Sequence, residues 1–177
     1  MAARVRRIAH ACAVAVLVSV SQAWAADEPP AGNPEIDMSG FLRDARDAAD
    51  ARRTRLLSED AFLRLRAEPR TVVLDARSRD RFDALHIEGA LHLAFTDMTV
   101  DALAGLIPDR ATRILVYCNN NFSGAPGPFP SKLPAASLNL STVIALRTYG
   151  YTEVYELGPL VEVARTRLPL VATRPSD

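Results

Sequence analysis

The sequence predicts an α/β domain with a mostly parallel central sheet flanked by helices. Short apolar runs rich in β-branched residues, such as residues 71–74 and 114–117, are typical of strands that are buried on both faces of a sheet. Segments with apolar residues three and four positions apart, typical of amphipathic helices, alternate with these runs along the chain. The composition agrees, since 49% hydrophobic and 24% charged residues among 177 are typical of one globular domain.

The first 25 residues have the features of an export signal. Three arginines lie within the first seven residues, residues 11–20 form an apolar run, and residues 23–25 have the small-x-small pattern that a signal peptidase recognises. We predict cleavage before Ala26 and a periplasmic or secreted mature chain. The apolar run is about half the length that a membrane-spanning helix needs, so a stable membrane anchor is the weaker alternative.

Charge and cysteine content narrow the classes of partner and site. The whole chain is formally neutral, with 21 basic and 21 acidic residues, which argues against nucleic acid as a partner. Removal of the signal leaves 152 residues with 18 basic and 21 acidic side chains and a single cysteine, Cys118. A single thiol of this kind is a buried core residue, the partner in an intermolecular disulfide or a nucleophile. The mature chain has one cysteine and two histidines, and they do not have the spacing of a zinc site. We predict neither a metal nor a cofactor.

A linker and a helix separate the signal from the first strand. Residues 27–34 hold three prolines and one glycine, which is typical of a flexible tether. From Ile36 to Ala49, apolar residues recur three and four positions apart, so we expect a helix that packs on the domain. Residues 26–54 are therefore predicted to form a linker and an N-terminal helical extension.

The domain itself is predicted to span residues 55–168, with residues 169–177 as a C-terminal tail. Ser58 has the position of an N-cap before a helix over residues 59–66, and Ser141 has the same position before a later helix. The other elements alternate in type. Strands are expected at residues 55–57, 71–75, 90–93, 114–117 and 153–157, and helices at residues 96–106 and 141–149.

Reactive side chains follow two of these strands. Asp75 and Arg77 come after one buried strand, and Cys118 comes directly after another. In open α/β sheets, ligands bind at the carboxyl ends of the strands. A cysteine between a strand and a following helix lies near backbone N–H groups and a helix dipole, which stabilise a thiolate. We therefore expect the functional site at this edge of the sheet.

Four spaced stretches of the chain form a recognisable pattern. They are Leu-Asp-Ala-Arg at residues 74–77 with Phe82, His-Ile-Glu-Gly-Ala at 86–90, Ile-Leu-Val-Tyr-Cys at 114–118, and Tyr-Gly-Tyr-Thr-Glu-Val-Tyr-Glu-Leu at 149–157. Together these stretches resemble the rhodanese-like family, over about residues 55–168. The resemblance implies a rhodanese-like three-layer fold, here with an N-terminal helical extension.

The resemblance also implies sulfur transfer. In that family a cysteine thiolate, here Cys118, attacks the sulfane sulfur of a small anionic donor such as thiosulfate and becomes a persulfide. The sulfur then passes to cyanide, a thiol or a protein acceptor. By the same resemblance, Asp75 and Arg77 are expected to support the site as an ion pair. His86 is expected to be a hydrogen-bonding residue of the turn before Ile87 and not a base.

The segment after the cysteine departs from the family pattern. Family members have a loop of about six residues that begins at the cysteine, whereas here residues 119–140 precede the expected cap at Ser141. This segment has 22 residues, with four prolines and two glycines. Loops of this length in compact domains are usually functional or disordered. Its prolines and the apolar side chains of Phe122, Phe129 and Leu133 favour an ordered loop folded over the cysteine.

Two features of this loop are candidates for substrate binding. Asn119, Asn120 and Asn121 carry amides that can donate hydrogen bonds to an anion, although asparagines in a row are also common in turns. Lys132 is the only lysine of the chain. If its ammonium group folds back toward Cys118, it would stabilise a thiolate and attract an anionic substrate; otherwise it is an ordinary surface charge.

Two alternatives to sulfur transfer remain at this point. A catalytically silent binding module would keep the fold and use the 119–140 loop to dock a partner protein. A phosphatase is less favoured, because such an enzyme needs an arginine in the cysteine loop and none lies between Cys118 and Arg147. We therefore expect an exported sulfurtransferase or persulfide carrier, with the binding module as the main alternative.

Overall fold

The computed structural model describes residues 32–173. These described residues fall into two units, one that ends at Ile36 and one that begins at Asp37. In the first unit, the described residues form a turn in which the Ile36 N–H donates to the Asn33 carbonyl at 3.0 Å. The predicted signal at residues 1–25, the start of the predicted linker and residues 174–177 lie outside the described residues.

The second unit alternates short strands with helices. The helices are α1 (Met38–Arg55), α2 (Glu59–Arg66), α3 (Arg79–Ala84), α4 (Val100–Leu106) and α5 (Leu138–Thr148). The strands are β1 (Leu56–Leu57), β2 (Thr71–Asp75), β3 (His86–Ile87), β4 (Leu91–His92), β5 (Arg113–Tyr117), β6 (Phe122–Ser123), β7 (Val154–Leu157), β8 (Val161–Glu162) and β9 (Leu170–Val171).

A parallel five-stranded sheet forms the centre of this unit, in the order β1-β7-β5-β2-β4. Side chains alternate along β5, so Ile114 and Val116 pack with α1, α4 and α5, whereas Leu115 and Tyr117 pack with α2 on the other face. Helices therefore cover both faces of the sheet, and the predicted three-layer α/β fold is confirmed. Asp75 and Tyr117 are register partners, which places the chain after β2 beside the chain after β5.

Two helices begin at residues other than those predicted. The helix expected from residue 96 begins at Val100, because the Thr99 hydroxyl caps it by accepting from the Ala102 N–H at 3.1 Å. A separate 3-10 turn, Phe95–Asp97, precedes it. The helix expected from residue 141 begins three residues earlier, at Leu138, with Ser137 as its N-cap. Ser141 is therefore a helical residue and not a cap, and the segment after the cysteine ends at Ser137.

The N-terminal helix α1 packs against α5 mainly through small residues. Ala48 is buried, whereas Met38 and Phe41, which were expected to pack on the domain, are more than half exposed. Arg52 donates through Nε to Oε1 of the buried Glu156 on β7 at 2.9 Å, which ties α1 to the sheet. Burial raises the pKa of Glu156, and the Arg52 charge opposes this effect.

The C-terminal end of the domain extends beyond the predicted boundary. Residues 169–177 were expected to be a tail, but Leu170 and Val171 form β9, which pairs antiparallel with His86 and Ile87 of β3. The fold therefore continues to at least Val171. Among residues 32–173, no helix combines the length and the apolar character that crossing a membrane requires.

Candidate functional site

Cys118 lies at the carboxyl end of β5, where the strand passes into a 3-10 turn at Asn119–Asn121. The residue is only 1% exposed. Its Sγ lies 3.4 Å from the hydroxyl oxygen of Ser137, the N-cap of the eleven-residue helix α5. The N-terminal end of that helix is therefore close to the sulfur.

Asn121 holds the cysteine turn in place. Its Oδ1 accepts hydrogen bonds from the Cys118 N–H at 2.9 Å and from Asn139 Nδ2 at 3.0 Å. Its Nδ2 donates to the carbonyl oxygens of Leu157 at 2.7 Å and Pro159 at 3.3 Å. Both atoms of the amide are thus used inside the protein. The structure gives Asn121 a framework position and not the substrate-facing position that the sequence suggested.

The Asn120 side chain binds the backbone of Lys132, in the second half of the loop. Its Nδ2 donates to the Lys132 carbonyl at 2.8 Å, and its Oδ1 accepts from the Lys132 N–H at 3.2 Å. This reciprocal pair holds the backbone of Lys132 beside the cysteine turn. The Lys132 side chain is exposed and makes no hydrogen bond or ion pair with the described residues.

Asn119 and Lys132 meet at a cleft of about 830 Å³ beside the carboxyl edge of the sheet. We call it the basic cleft. Its charged and polar lining includes Arg79, Arg81, His92, Asp97, Asn119 and Lys132. The Asn119 side chain is buried, and its Oδ1 has no hydrogen-bond partner among the described residues. Cys118 is not part of the lining, although Asn119, which follows it in the chain, is.

Asp75 and Arg77 form a buried ion pair beneath the site. Arg77 Nη2 lies 2.5 Å from Asp75 Oδ2, and neither side chain is more than 1% exposed. The Tyr117 hydroxyl also donates to Asp75 Oδ2, at 2.5 Å, and it accepts from the Ile87 N–H at 3.0 Å. Burial and the negative charge of Asp75 raise the pKa of Tyr117 well above its ordinary range, which keeps the phenol a neutral donor.

Arg77 connects this buried pair to the long loop. Its Nη1 donates to the Pro128 carbonyl at 3.1 Å, and its guanidinium carbon lies 4.5 Å from the centre of the Phe129 ring. Phe129 in turn stacks on Phe122 with 4.2 Å between the ring centres, and both rings are buried. The loop is therefore an ordered layer over the cysteine edge. Leu133, expected to anchor the loop, is instead 79% exposed.

The two described histidines make different contacts. His86 stacks on Phe82, and its Nδ1 lies 2.7 Å from the Phe82 carbonyl oxygen, so it belongs to the turn. His92 Nε2 lies 2.8 Å from the Arg77 carbonyl oxygen. Because a carbonyl oxygen can only accept, Nε2 carries a proton in this contact. His92 lines the basic cleft.

Three residues of the site had not been singled out as site residues from the sequence. Ser137 was missed because the helix was expected to begin at residue 141. Tyr117 could have been found from strand alternation, since it shares a face with Leu115 and is the register partner of Asp75. Nothing in the sequence around His92 distinguishes it from an ordinary strand residue. Within residues 32–173, no group of three His, Cys, Asp or Glu side chains could hold a metal ion.

The chain matches a described protein family over more than half of its length. The family described as Rhodanese-like domain matches residues 58–157. No curated protein matches the chain.

Several solved structures are similar to parts of the chain. The rhodanese-like domain of an Anabaena sp. protein is 20% identical, over 70% of this chain and 83% of that one, with a TM-score of 0.47. A rhodanese with anions from E. coli is 20% identical, over 58% and 98%, with a TM-score of 0.39. A thiosulfate sulfurtransferase from Pseudomonas aeruginosa is 20% identical, over 68% of this chain and 21% of that one, with a TM-score of 0.42.

Proposed function

Because this chain belongs to the rhodanese-like domain family, we propose that it transfers sulfane sulfur through a persulfide on Cys118. One observation carries the proposal: Cys118 follows the central strand β5, and its Sγ lies 3.4 Å from the hydroxyl of Ser137, the residue at the N-terminus of α5. The sulfur therefore lies beside a helix N-terminus and a hydroxyl, groups that can donate hydrogen bonds to an incoming anionic donor.

The proposed reaction has two sulfur-transfer steps. First, the Cys118 thiolate attacks the outer sulfur of a donor such as thiosulfate; a bond forms between the two sulfurs, the S–S bond of the donor breaks, and sulfite leaves with the electron pair. Second, an acceptor thiolate attacks the outer sulfur of the persulfide. The bond to Sγ breaks, the acceptor carries away the sulfur as its own persulfide, and Cys118 returns as a thiolate.

The burial of Cys118 favours a long-lived persulfide over rapid turnover. The residue is 1% exposed, and the stacked Phe122 and Phe129 rings hold the loop down. At this burial a donor can reach the sulfur only after residues around it move. The same cover would shield a bound persulfide from water and oxidants, so a persulfide carrier fits the geometry better than a fast thiosulfate enzyme.

The basic cleft supports an anionic donor. Arg79, Arg81 and Lys132 line it against the single acid Asp97. Such an excess of positive charge raises the local concentration of small anions. Because Asn119 lines the cleft and follows Cys118 directly in the chain, a donor bound there would lie close to the nucleophile.

Release of sulfite after mixing with thiosulfate, without an acceptor, tests this function. The full chain is expected to release about one sulfite per protein, since the persulfide cannot be discharged. Cys118→Ser, which keeps the shape of the side chain and removes the nucleophile, should release none. Equal release by the two proteins would overturn the assignment to Cys118 and would point to Cys12, the other thiol of the full chain.

We also propose that the protein acts after export, with cleavage before Ala26. The proposal rests on the basic and apolar pattern of residues 1–25. N-terminal sequencing of protein recovered from the periplasm or medium of a bacterial host tests it. A mature chain that begins at Ala26 is expected, and a chain that keeps residues 1–25 in the cytoplasm would contradict export.

A non-catalytic binding module is the second candidate, and exposed Leu133 is the observation that favours it. This side chain is 79% exposed at the outer part of the loop, next to Lys132. If docking is the function, Cys118→Ser should leave the biological effect intact and Leu133→Ser should remove it. If sulfur transfer is the function, Cys118→Ser should remove the biological effect and Leu133→Ser should leave it intact.

A further inference from the structure

We propose that the exposed face of α1 is the interface of a symmetric dimer, in which the α1 helices of two copies of this chain pair antiparallel. The dimer does not depend on the function of Cys118, because no residue of α1 lines the basic cleft. Three properties of α1 point to it: the spacing of its exposed residues, the distribution of large and small side chains, and the distribution of charge.

The exposed face of α1 has the residue spacing of a coiled-coil interface. Steps of four and three residues alternate along it, which is the repeat with which two helices pack along each other. We call this row the α1 seam, and it consists of Met38, Leu42, Ala45, Ala49 and the aliphatic stem of Arg52. Among the described residues the seam lies mainly at the surface, since Met38 is 63% and Leu42 44% exposed. The seam is therefore open to a second helix.

Large and small side chains are segregated along α1 in a way that lets one copy fit another. Met38, Phe41 and Leu42 project from the first half of the helix, and each is at least 44% exposed. Ala45 and Ala49, in the second half, line a cavity of about 430 Å³ whose opposite wall is apolar and comes from α5. When two copies pair antiparallel about a two-fold axis, the projecting half of each α1 meets the small-residue half of the other. Leu42 of each copy would then enter the cavity of the other.

The charges of α1 favour the antiparallel direction. Residues 37–42 include one acid, Asp37, and no base, whereas residues 51–56 include three arginines and no acid. Antiparallel helices place the arginine-rich end of each copy beside Asp37 of the other, whereas parallel helices would bring the arginines of both copies together. Arg53 is available for this pairing, because its contact with Asp50 is 3.2 Å long and both side chains are more than 70% exposed.

The size of the interface sets the expected affinity. The 18 residues of α1 extend about 27 Å, so two such helices bury an area at the low end of specific protein interfaces. We therefore expect a dissociation constant in the micromolar range, with monomer and dimer in exchange.

Sedimentation equilibrium of the full chain, at concentrations below and above the micromolar range, tests the dimer. The parent chain is expected to change from monomer to dimer as its concentration rises. Leu42→Gln removes the side chain that fills the cavity, and Ala49→Gln places a large side chain where the helices approach each other. Each should raise the dissociation constant about tenfold. Arg43→Gln is the matched control, since Arg43 is 66% exposed and lies outside the seam, and it should change the constant less than about twofold.

Arg53→Glu tests the direction of the pairing. In the antiparallel dimer the introduced carboxylate would lie beside Asp37 of the second copy, so the dissociation constant should rise about three- to tenfold. In a parallel dimer the same change would relieve repulsion between arginines. A lower dissociation constant would therefore overturn the antiparallel arrangement.

A chain that stays monomeric at all these concentrations would overturn the dimer. In that case binding to phosphatidylcholine vesicles, lost in Leu42→Gln, would identify a membrane surface as the occupant of the seam. A dimer that Leu42→Gln and Ala49→Gln both leave unchanged would also overturn the proposal, because another surface would then hold it together. Thermal unfolding of each variant distinguishes a lost contact from a lost fold. Sulfite release is a separate readout, since the α1 seam and the basic cleft share no residue.

Discussion

Replacement of Asn121 by alanine should destabilise the protein more than its position in a loop suggests. The Asn121 amide accepts from the Cys118 N–H at 2.9 Å and donates to the Leu157 carbonyl at 2.7 Å. It therefore joins the cysteine turn to the end of the neighbouring strand β7. In the alanine variant both backbone groups would be buried with no partner from this side chain.

The expected cost follows from these contacts. A buried backbone group that loses its partner costs about 1–3 kcal/mol, and the Cys118 N–H and the Leu157 carbonyl are two such groups. Asn139 Nδ2 and the part-buried Pro159 carbonyl lose the same partner. Partial relaxation of the turn recovers some of this energy, so we expect a loss of about 3 kcal/mol in the free energy of unfolding. For a domain of this size, that loss corresponds to a decrease of roughly 6–12 °C in Tm.

Urea denaturation followed by circular dichroism measures the change, and Asn120→Ala is the matched control. Asn120 bonds to the exposed backbone of Lys132 at 2.8 and 3.2 Å, where water can replace the lost partner. Its replacement should therefore cost less than about 1 kcal/mol. A loss below about 1 kcal/mol for Asn121→Ala, or equal losses for both variants, would refute the framework position of Asn121.

Three further substitutions give separate tests. Ser137→Ala should slow sulfite release about three- to tenfold without changing stability, because its hydroxyl contacts Sγ but makes no cap hydrogen bond; an unchanged rate would contradict the role of this contact. Tyr117→Phe should lower the free energy of unfolding by about 2–3 kcal/mol in urea denaturation, since the Ile87 N–H and Asp75 both lose a partner; a neutral effect would mean that water replaces the phenol. The pKa of Glu156 is raised in the folded protein, so protonation of this side chain favours the folded state. This stabilisation is complete below the ordinary pKa of 4.5 and is lost as the pH rises through the pKa of the folded state. Glu156→Gln should therefore gain stability relative to the parent chain as the pH rises from about 4.5 to 7, and a constant difference in the free energy of unfolding would contradict the shift.

The sheet could be predicted because its strands are buried on both faces. Residues 72–74 and 114–117 are continuous apolar runs, and such runs identify central parallel strands without knowledge of the partners. Helix starts were less predictable, because Ser137 and Ser141 are both acceptable caps by sequence. The structure begins α5 at Leu138, which places Ser137 against the cysteine sulfur.

The long segment after Cys118 was predicted to be ordered, but the separate roles of its residues were not predictable. Asn119, Asn120 and Asn121 are chemically identical, and a 3-10 turn sends their side chains in different directions. Asn119 lines the basic cleft, Asn120 binds the backbone of Lys132, and Asn121 binds the cysteine turn. Only the path of the backbone distinguishes them, and that path depends on β6 pairing with β8 far along the chain.

Peptide mass mapping after incubation of the full chain with thiosulfate tests the central claim most directly. The account predicts a gain of about 32 Da, the mass of one sulfur atom, on the peptide that contains Cys118 and none on the peptide that contains Cys12. Addition of glutathione should then remove the added mass. An unmodified Cys118 after treatment with thiosulfate and with a polysulfide, in protein that remains folded, would contradict the account.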